Sequence, residues 1–599
     1  MAITFPRRLL SLLLVATIVI TSFGLAFSHG PDANARETAP ETASYVPATA
    51  LAYVTANLDG SSAQWTQAQV LGERIGRTVT PVRLFELFSQ TVLGSSDVID
   101  ASDFLGGDVA IAVTNPDLSG MLPNLSTGAA FDQGAGGALS DAATKAAQSG
   151  YVLIALTKDP SIAEVAIKTA LQRIAENNGV TIEEEAHEGI RVTWVAGDEA
   201  AGTPGVAYAR IDEALVAAPT VKDLLPVLDL RVNGGDSLAT VPRFEQVIRP
   251  LPDDALALGV VNGSQLAADI GPEADKNLPG IDAVTNGINA FTAFSVTAVD
   301  NGFQTDTRSV GEDGGKIFGD AENFTPSLID QMPAETQIFV DGMDFSSTGL
   351  LDAIGVIGSR FLLGALAGMS SASPAATPEI DPSTVMLPEA SNEAFGQLAL
   401  LFGVNLKSQL IDKLDGEYAF GLWGLNSTDA TGVNAAFIAQ TSDPAAVDAS
   451  LNALTTFVGL FAQNSAAVTP TSIDGVPMSS IDLSSSGVSN PVVVGVNDDQ
   501  LIVGIGDGAN DAISGPTDQL ADTELFQNAM ASLPTDRNAM LFVNLSELSS
   551  TVTAATASIA GNATPEASPA EDMTPQAFAV VGFKDNLLAG SQGLLYIPA

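Results

Sequence analysis

YVLIALTKDPSIAEVAIKTALQRIAENNG at residues 151–179 and NAAFIAQTSDPAAVDASLNALTTFVGLFAQN at residues 434–464 carry one design. Each begins as an apolar β-type run, is stopped by an Asp-Pro pair, and continues as an apolar segment of helical period. Asp159 and Asp443 stand where a side chain caps a helix, and Pro160 and Pro444 at the first helical position, where a missing N–H costs little. In the first segment Ile162, Val165, Ala166, Leu171 and Ile174 fall largely at helical spacing.

The correspondence extends outward from these segments. VPATALAYVTANLD (46–59) faces MPAETQIFVDGMD (from 332), and VPRFEQVIRPLPDDALALGVVNGSQL (241–266) faces TELFQNAMASLPTDRNAMLFVNLSEL (523–548). AFSVTAVDNGF (293–303) faces AFAVVGFKDNL (577–587). Asp159 and Asp443 are 284 positions apart, Phe244 and Phe526 282, Phe294 and Phe578 284. Four blocks in one order at a nearly constant offset signal an internal duplication. Between the blocks, adjacent β-type runs predict hairpins turning at Glu188-Gly189, Asp212-Glu213, Asp474-Gly475 and Asp498-Asp499.

Runs of adjacent hairpins mean antiparallel sheet. The expected fold class is therefore α+β: two tandem pseudo-repeats, residues 45–310 and 326–599, each a largely antiparallel sheet with helices packed on one face. Residues 115–150, 370–391 and 553–575 are rich in Gly, Ala, Ser, Pro or Thr and read as low-complexity inserts.

Ahead of the repeats, Arg7-Arg8 precede an uncharged, mostly apolar run from Leu9 to Phe27, and Ala33-Asn34-Ala35 follows. These are the parts of a secretory signal peptide over residues 1–35, with the mature chain starting at Arg36. Left uncleaved, residues 9–27 would instead attach the protein to the membrane. The two arginines also invite a twin-arginine reading, which their flanking residues match poorly. Each route places the remainder outside the cytoplasm, secreted or on the outer face of the cell membrane.

The opening pattern P-A-x-T-x-x-Y-V-x-x-N-L-D at 47–59, Gln64-Trp65 and the F-x-x-x-x-x-x-L-P-x-D block at 244–253 resemble a bacterial family. It is known only as a domain of unknown function, number thirty-three fifty-two. The resemblance covers most of residues 45–599 and implies an exported chain with a long extracytoplasmic region. It lends no catalytic residues, and PAETQIFVDGMD of the second copy departs from its opening pattern.

Composition narrows the chemistry. There are 70 Asp and Glu against 24 Lys and Arg, a formal net charge of −46. After residue 320, thirty-one acids face five bases: Arg360, Lys407, Lys413, Arg537 and Lys584. Such a surface repels phosphates, so nucleic acid is a poor partner. With no cysteine there is no disulfide, thiolate nucleophile or iron–sulfur cluster. Of two histidines, cleavage after Ala35 leaves His187 alone, too few for a histidine-based zinc site. No G-x-S-x-G elbow is present to present a serine.

Gly504, Gly506 and Ala509 satisfy G-x-G-x-x-A, but they follow a hairpin strand rather than opening a βαβ unit, and read as a tight strand-to-helix turn. Asp507, Asn510, Asp511 and Asp518 cluster just beyond, without EF-hand spacing, leaving calcium an open question. The sequence thus names no catalytic, cofactor-binding or metal residue and implies no cofactor.

The expected function is a non-enzymatic binding or scaffold protein, secreted or envelope-associated, whose partner is an unnamed protein or apolar ligand. The alternative is a carrier of lipid or another apolar ligand using the Leu- and Phe-rich helices of residues 350–406. A carboxylate-based hydrolase is the outsider.

Overall fold

The structure, a computed structural model, describes residues 36, 38–82, 105–114, 150–197, 205–265, 290–311, 323–345, 406–425, 433–461, 467–484, 490–535, 537–547, 576–585 and 588–598. Two compact units divide the chain, Gly30–Gly315 and Lys316–Asn586, the second also taking in Ser591–Ala599. The leader and the segments 350–405, 115–149, 370–391 and 553–575 lie outside the described residues.

The first unit contains β1 (Ala52–Asn57), β2 (Leu105–Val113), β3 (Tyr151–Thr157), β4 (Ile182–His187), β5 (Ile190–Val195), β6 (Val206–Ile211), β7 (Ala214–Ala218), β8 (Ala257–Asn262), β9 (Ala290–Val299) and β10 (Gly302–Gly311). Antiparallel pairing puts them in the order β10-β9-β8-β1-β2-β3-β7-β6-β5-β4. Its helices are α1 (Ala63–Arg74), α2 (Pro160–Asn178), α3 (Val221–Asn233) and α4 (Pro242–Ile248).

The second unit contains β11 (Thr336–Met343), β12 (Glu417–Trp423), β13 (Asn434–Gln440), β14 (Ala467–Ile473), β15 (Val476–Asp482), β16 (Val492–Asn497), β17 (Gln500–Ile505), β18 (Ala539–Asn544), β19 (Ala577–Asp585) and β20 (Leu588–Tyr596). Their order is β20-β19-β18-β11-β12-β13-β17-β16-β15-β14, antiparallel from β19 to β14. The helices are α5 (Leu406–Gln409), α6 (Pro444–Phe461), α7 (Gly508–Ser514) and α8 (Glu524–Met530).

Local chemistry accounts for these boundaries. The four hairpins turn at the expected dipeptides, with Ile190 opposite His187, Ala214 opposite Ile211, Val476 opposite Ile473 and Gln500 opposite Asn497. Asp159 caps α2 by accepting from the amides of Ser161 and Ile162, and Asp443 accepts from Ala446 at the start of α6. Gly179, at φ 66°, ends α2 in a left-handed conformation.

Helices cover both faces of each sheet, which corrects the one-face expectation. In the first unit, Leu224, Val227 and Leu228 of α3 and Phe244, Val247 and Ile248 of α4 pack on the face formed by Tyr53, Ala112, Ile154 and Val216. The opposite face meets α2, whose Glu164 lies 3.9 Å from Arg210 of β6. In the second unit, Val447 and Leu451 of α6 join Tyr418, Ala439 and Leu501 on one face. Phe526 of α8 stacks edge-on against Phe542, on the other face, at 5.1 Å. The physical reason is in the central strands: β3 and β7 are buried almost without alternation, so both faces need cover.

Two further readings are adjusted. On α2, Ala163, Leu171 and Ala175 are the buried residues, while Ile162 and Val165 are exposed. Strand pairing sets Val260 opposite Ala293 and Phe542 opposite Ala579, so the last aligned block slides by two residues relative to the Phe294–Phe578 match. A slip of two keeps every side chain on its own face.

Candidate functional site

The residues singled out in the sequence find structural roles. His187 Nε2 lies 2.8 Å from Asp229 Oδ1, tying the β4–β5 hairpin to α3. In the G-x-G-x-x-A segment, a Cβ on Gly504 would strike Ala509, and one on Gly506 would strike Asn434 Oδ1. These glycines let α7 lie close on the sheet. Among the described residues no three His, Asp or Glu are grouped to hold a metal ion, so Asp507, Asn510, Asp511 and Asp518 form no such cluster. Burial raises the Asp511 carboxyl above its ordinary range, with Asp507 and Glu335 adding to it. The apolar helices of 350–406 fall outside the described residues except for the start of α5.

The second unit carries an open polar cleft of about 460 Å³. It is lined by Asp330 and Gln331 before β11, Asp498 and Asp499 of the β16–β17 turn, Ser514 at the end of α7, and Gln519. Asp498 holds the turn in a left-handed conformation, φ 51°, which Asp tolerates better than most residues. No ion pair to Asp330, Asp498 or Asp499 occurs among the described residues. Gln331 Oε1 is buried without a hydrogen-bond donor among them.

The matching place in the first unit is arranged differently. Its β6–β7 turn holds Asp212, at φ 53°, and α3 runs 13 residues where α7 runs seven. The extra length brings Arg231 onto Asp212 in an ion pair. Tyr45 stands where Gln331 stands in the second unit. Its hydroxyl pKa is raised by burial and then by Asp212 and Glu41, against the lowering effect of Arg231. In the second unit Gly515, at φ 77°, ends the helix at Ser514, whose hydroxyl donates to Asp474 Oδ2 at 2.5 Å. α7 ends at Ser514, and no ion pair like Arg231–Asp212 forms at the β16–β17 turn among the described residues.

A second group of charges is sealed in the core of the same unit. Asp341 in the middle of β11 is fully buried, and the nearby Gly342 amide makes no well-formed hydrogen bond to its carboxyl. Burial pushes that carboxyl well above the ordinary range, and Glu417 pushes the same way, while Arg537 opposes them. Glu417 is buried too, but its oxygens accept from the Ser327 and Leu328 amides at 2.7 Å and from the Ser327 hydroxyl. A neutral Asp341 beside a hydrogen-bonded Glu417 is the arrangement these contacts favour. The first unit has Thr55 in place of Asp341, its hydroxyl bonded to the Val109 carbonyl.

Nothing local to Gln331 marks it in the sequence, and Asp498 reads there only as a turn residue. The lone acid in the apolar run QIFVDGM was a visible signal for Asp341. The cleft had no comparable signal.

The sheets and their flanking helices define an α+β protein of large antiparallel sheets. The chain belongs to the family described as protein of unknown function (DUF3352), whose model matches residues 9–572. No curated protein matches it. A solved structure, crystal form III of TP0453, is similar at 12% identity over 48% of this chain and 82% of that one, with a TM-score of 0.23. That likeness is too slight to carry an argument.

Proposed function

We propose that this is an exported, non-enzymatic binding or scaffold protein of the cell envelope, built from two copies of one α+β unit, with a binding cleft in the second copy. The duplication is supported by the identical strand order and by matching register. Tyr53 faces Val260 as Phe339 faces Phe542, and Asn57 faces Asp108 as Met343 faces Glu417. The leader over residues 1–35 supports the location.

The observation that carries the binding reading is the cleft itself. Where the first unit places Tyr45 and the Arg231–Asp212 ion pair, the second carries an accessible polar hollow of ligand-binding size. Native mass spectrometry of protein purified from its own host tests this, comparing the wild type with Gln331→Tyr, which restores the first unit's residue. A bound mass lost in the variant is the expected result. A lipid retained equally by both would move the function to residues 350–406, and no bound species in either would favour a scaffold.

A further inference from the structure

The two hairpin turns offer an internal comparison, resting on the duplication and cleft proposed above. Asp212 and Asp498 occupy the same turn position with nearly the same φ, 53° and 51°. In the first unit the partner of that carboxylate is a guanidinium, supplied by Arg231 from the extra turns of α3. In the second unit the turn is retained, with Asp499 where the first unit has Glu213, and Asp330 stands beside it where the first unit has Ser44, while the helix that would deliver the cation stops short.

We infer that the cleft binds a guanidinium group from outside the chain, with Asp498 taking the role toward it that Asp212 takes toward Arg231. A carboxylate matches a guanidinium with two parallel hydrogen bonds, and Asp499 and Asp330 supply further negative charge. Gln331, whose buried Oε1 meets no donor among the described residues, lines the same hollow. The hollow is far larger than one guanidinium, so the group arrives on a larger body: a free small molecule or an arginine side chain of a polypeptide segment.

The test is calorimetric titration of the full mature chain with methylguanidinium, with agmatine and with a short blocked peptide holding one arginine, each at matched ionic strength. Asp498→Asn keeps a residue that tolerates the left-handed turn, and Gln331→Tyr closes the hollow while leaving every carboxylate in place. One saturable site is expected, weakened at least tenfold by Asp498→Asn, lost in Gln331→Tyr and unchanged in Asp212→Asn. Agmatine binding more tightly than the peptide would assign the group to a small molecule, and the reverse to a polypeptide. Equal cation uptake by all variants would overturn the inference, exposing diffuse attraction to an acidic surface. A native ligand lost in Gln331→Tyr but indifferent to Asp498→Asn would also overturn it, while leaving the cleft as a binding site.

Discussion

Arg231, near the end of α3, is ion-paired with Asp212 on the β6–β7 turn. Both side chains are more than half exposed, at 56% and 52%, so the pair contributes little to stability. Arg231→Ala should therefore cost less than about 1 kcal/mol in urea unfolding. A loss of several kcal/mol would show that the first unit depends on this ion pair.

Asp341 makes the second unit sensitive to alkali. Its carboxyl is raised in the folded state by burial and by Glu417, so the native chain holds a proton that the unfolded chain releases. The stability from that proton is complete below the ordinary carboxylate pKa and falls as pH rises toward the raised value. Asp341→Asn should raise the melting temperature at neutral and mildly alkaline pH and change little near pH 4. An equal shift at both pH values would place the effect in packing instead of titration.

Gly508 lets α7 lie directly on β13, since a Cβ there would meet the Ala435 carbonyl oxygen. Gly508→Ala should destabilise by about 1–3 kcal/mol, the usual range for overpacking. At Gly475, φ 85° with open space around it, alanine meets only backbone strain of about 1–2 kcal/mol. Denaturant midpoints compare the two, and the Gly508 variant should also disturb the cleft that α7 borders.

Thirty-one acids against five bases after residue 320 leave most carboxylates of the second unit without a basic partner. At 1 M salt the Debye length is about 3 Å, which screens their mutual repulsion. Thermal scans of the mature chain should show its melting temperature rising from low to molar sodium chloride. A flat response would mean that the acids are already well spaced.

The mature chain should begin at Arg36, as N-terminal sequencing of the native protein will read. The Arg36 nitrogen donates to the Arg249 and Leu251 carbonyls, and its guanidinium to those of Pro252 and Asp253. A new ammonium group there can serve the same two main-chain acceptors. Recovery of an intact Met1 would instead indicate a retained membrane anchor.

Much of the fold was legible. Asp159-Pro160, Asp443-Pro444 and the four turn dipeptides act through their own neighbours, and each lies where local chemistry placed it. The side of the sheet that a helix covers was less accessible. Ile162 and Val165 share the helical spacing of α2 with Leu171, yet only Leu171 is buried, because the contact line runs through Ala163 and Ala175. Small residues mark a close approach as well as large ones do, and periodicity weighted by hydropathy undercounts them.

The sequence by itself determined the strands, their turns, the helix starts and the excess of negative charge, since each depends on residues within a few positions of one another. Only the tertiary structure decided that helices flank both faces, that Asp341 is sealed beside Glu417, and that the second unit has an open cleft. Those outcomes depend on meetings between distant residues, Tyr45 with Asp212 and Arg231, or Gln331 with Asp498 and Ser514. α3 has 13 residues and α7 seven, and only the longer helix carries a side chain that pairs with its neighbouring turn, Arg231 with Asp212.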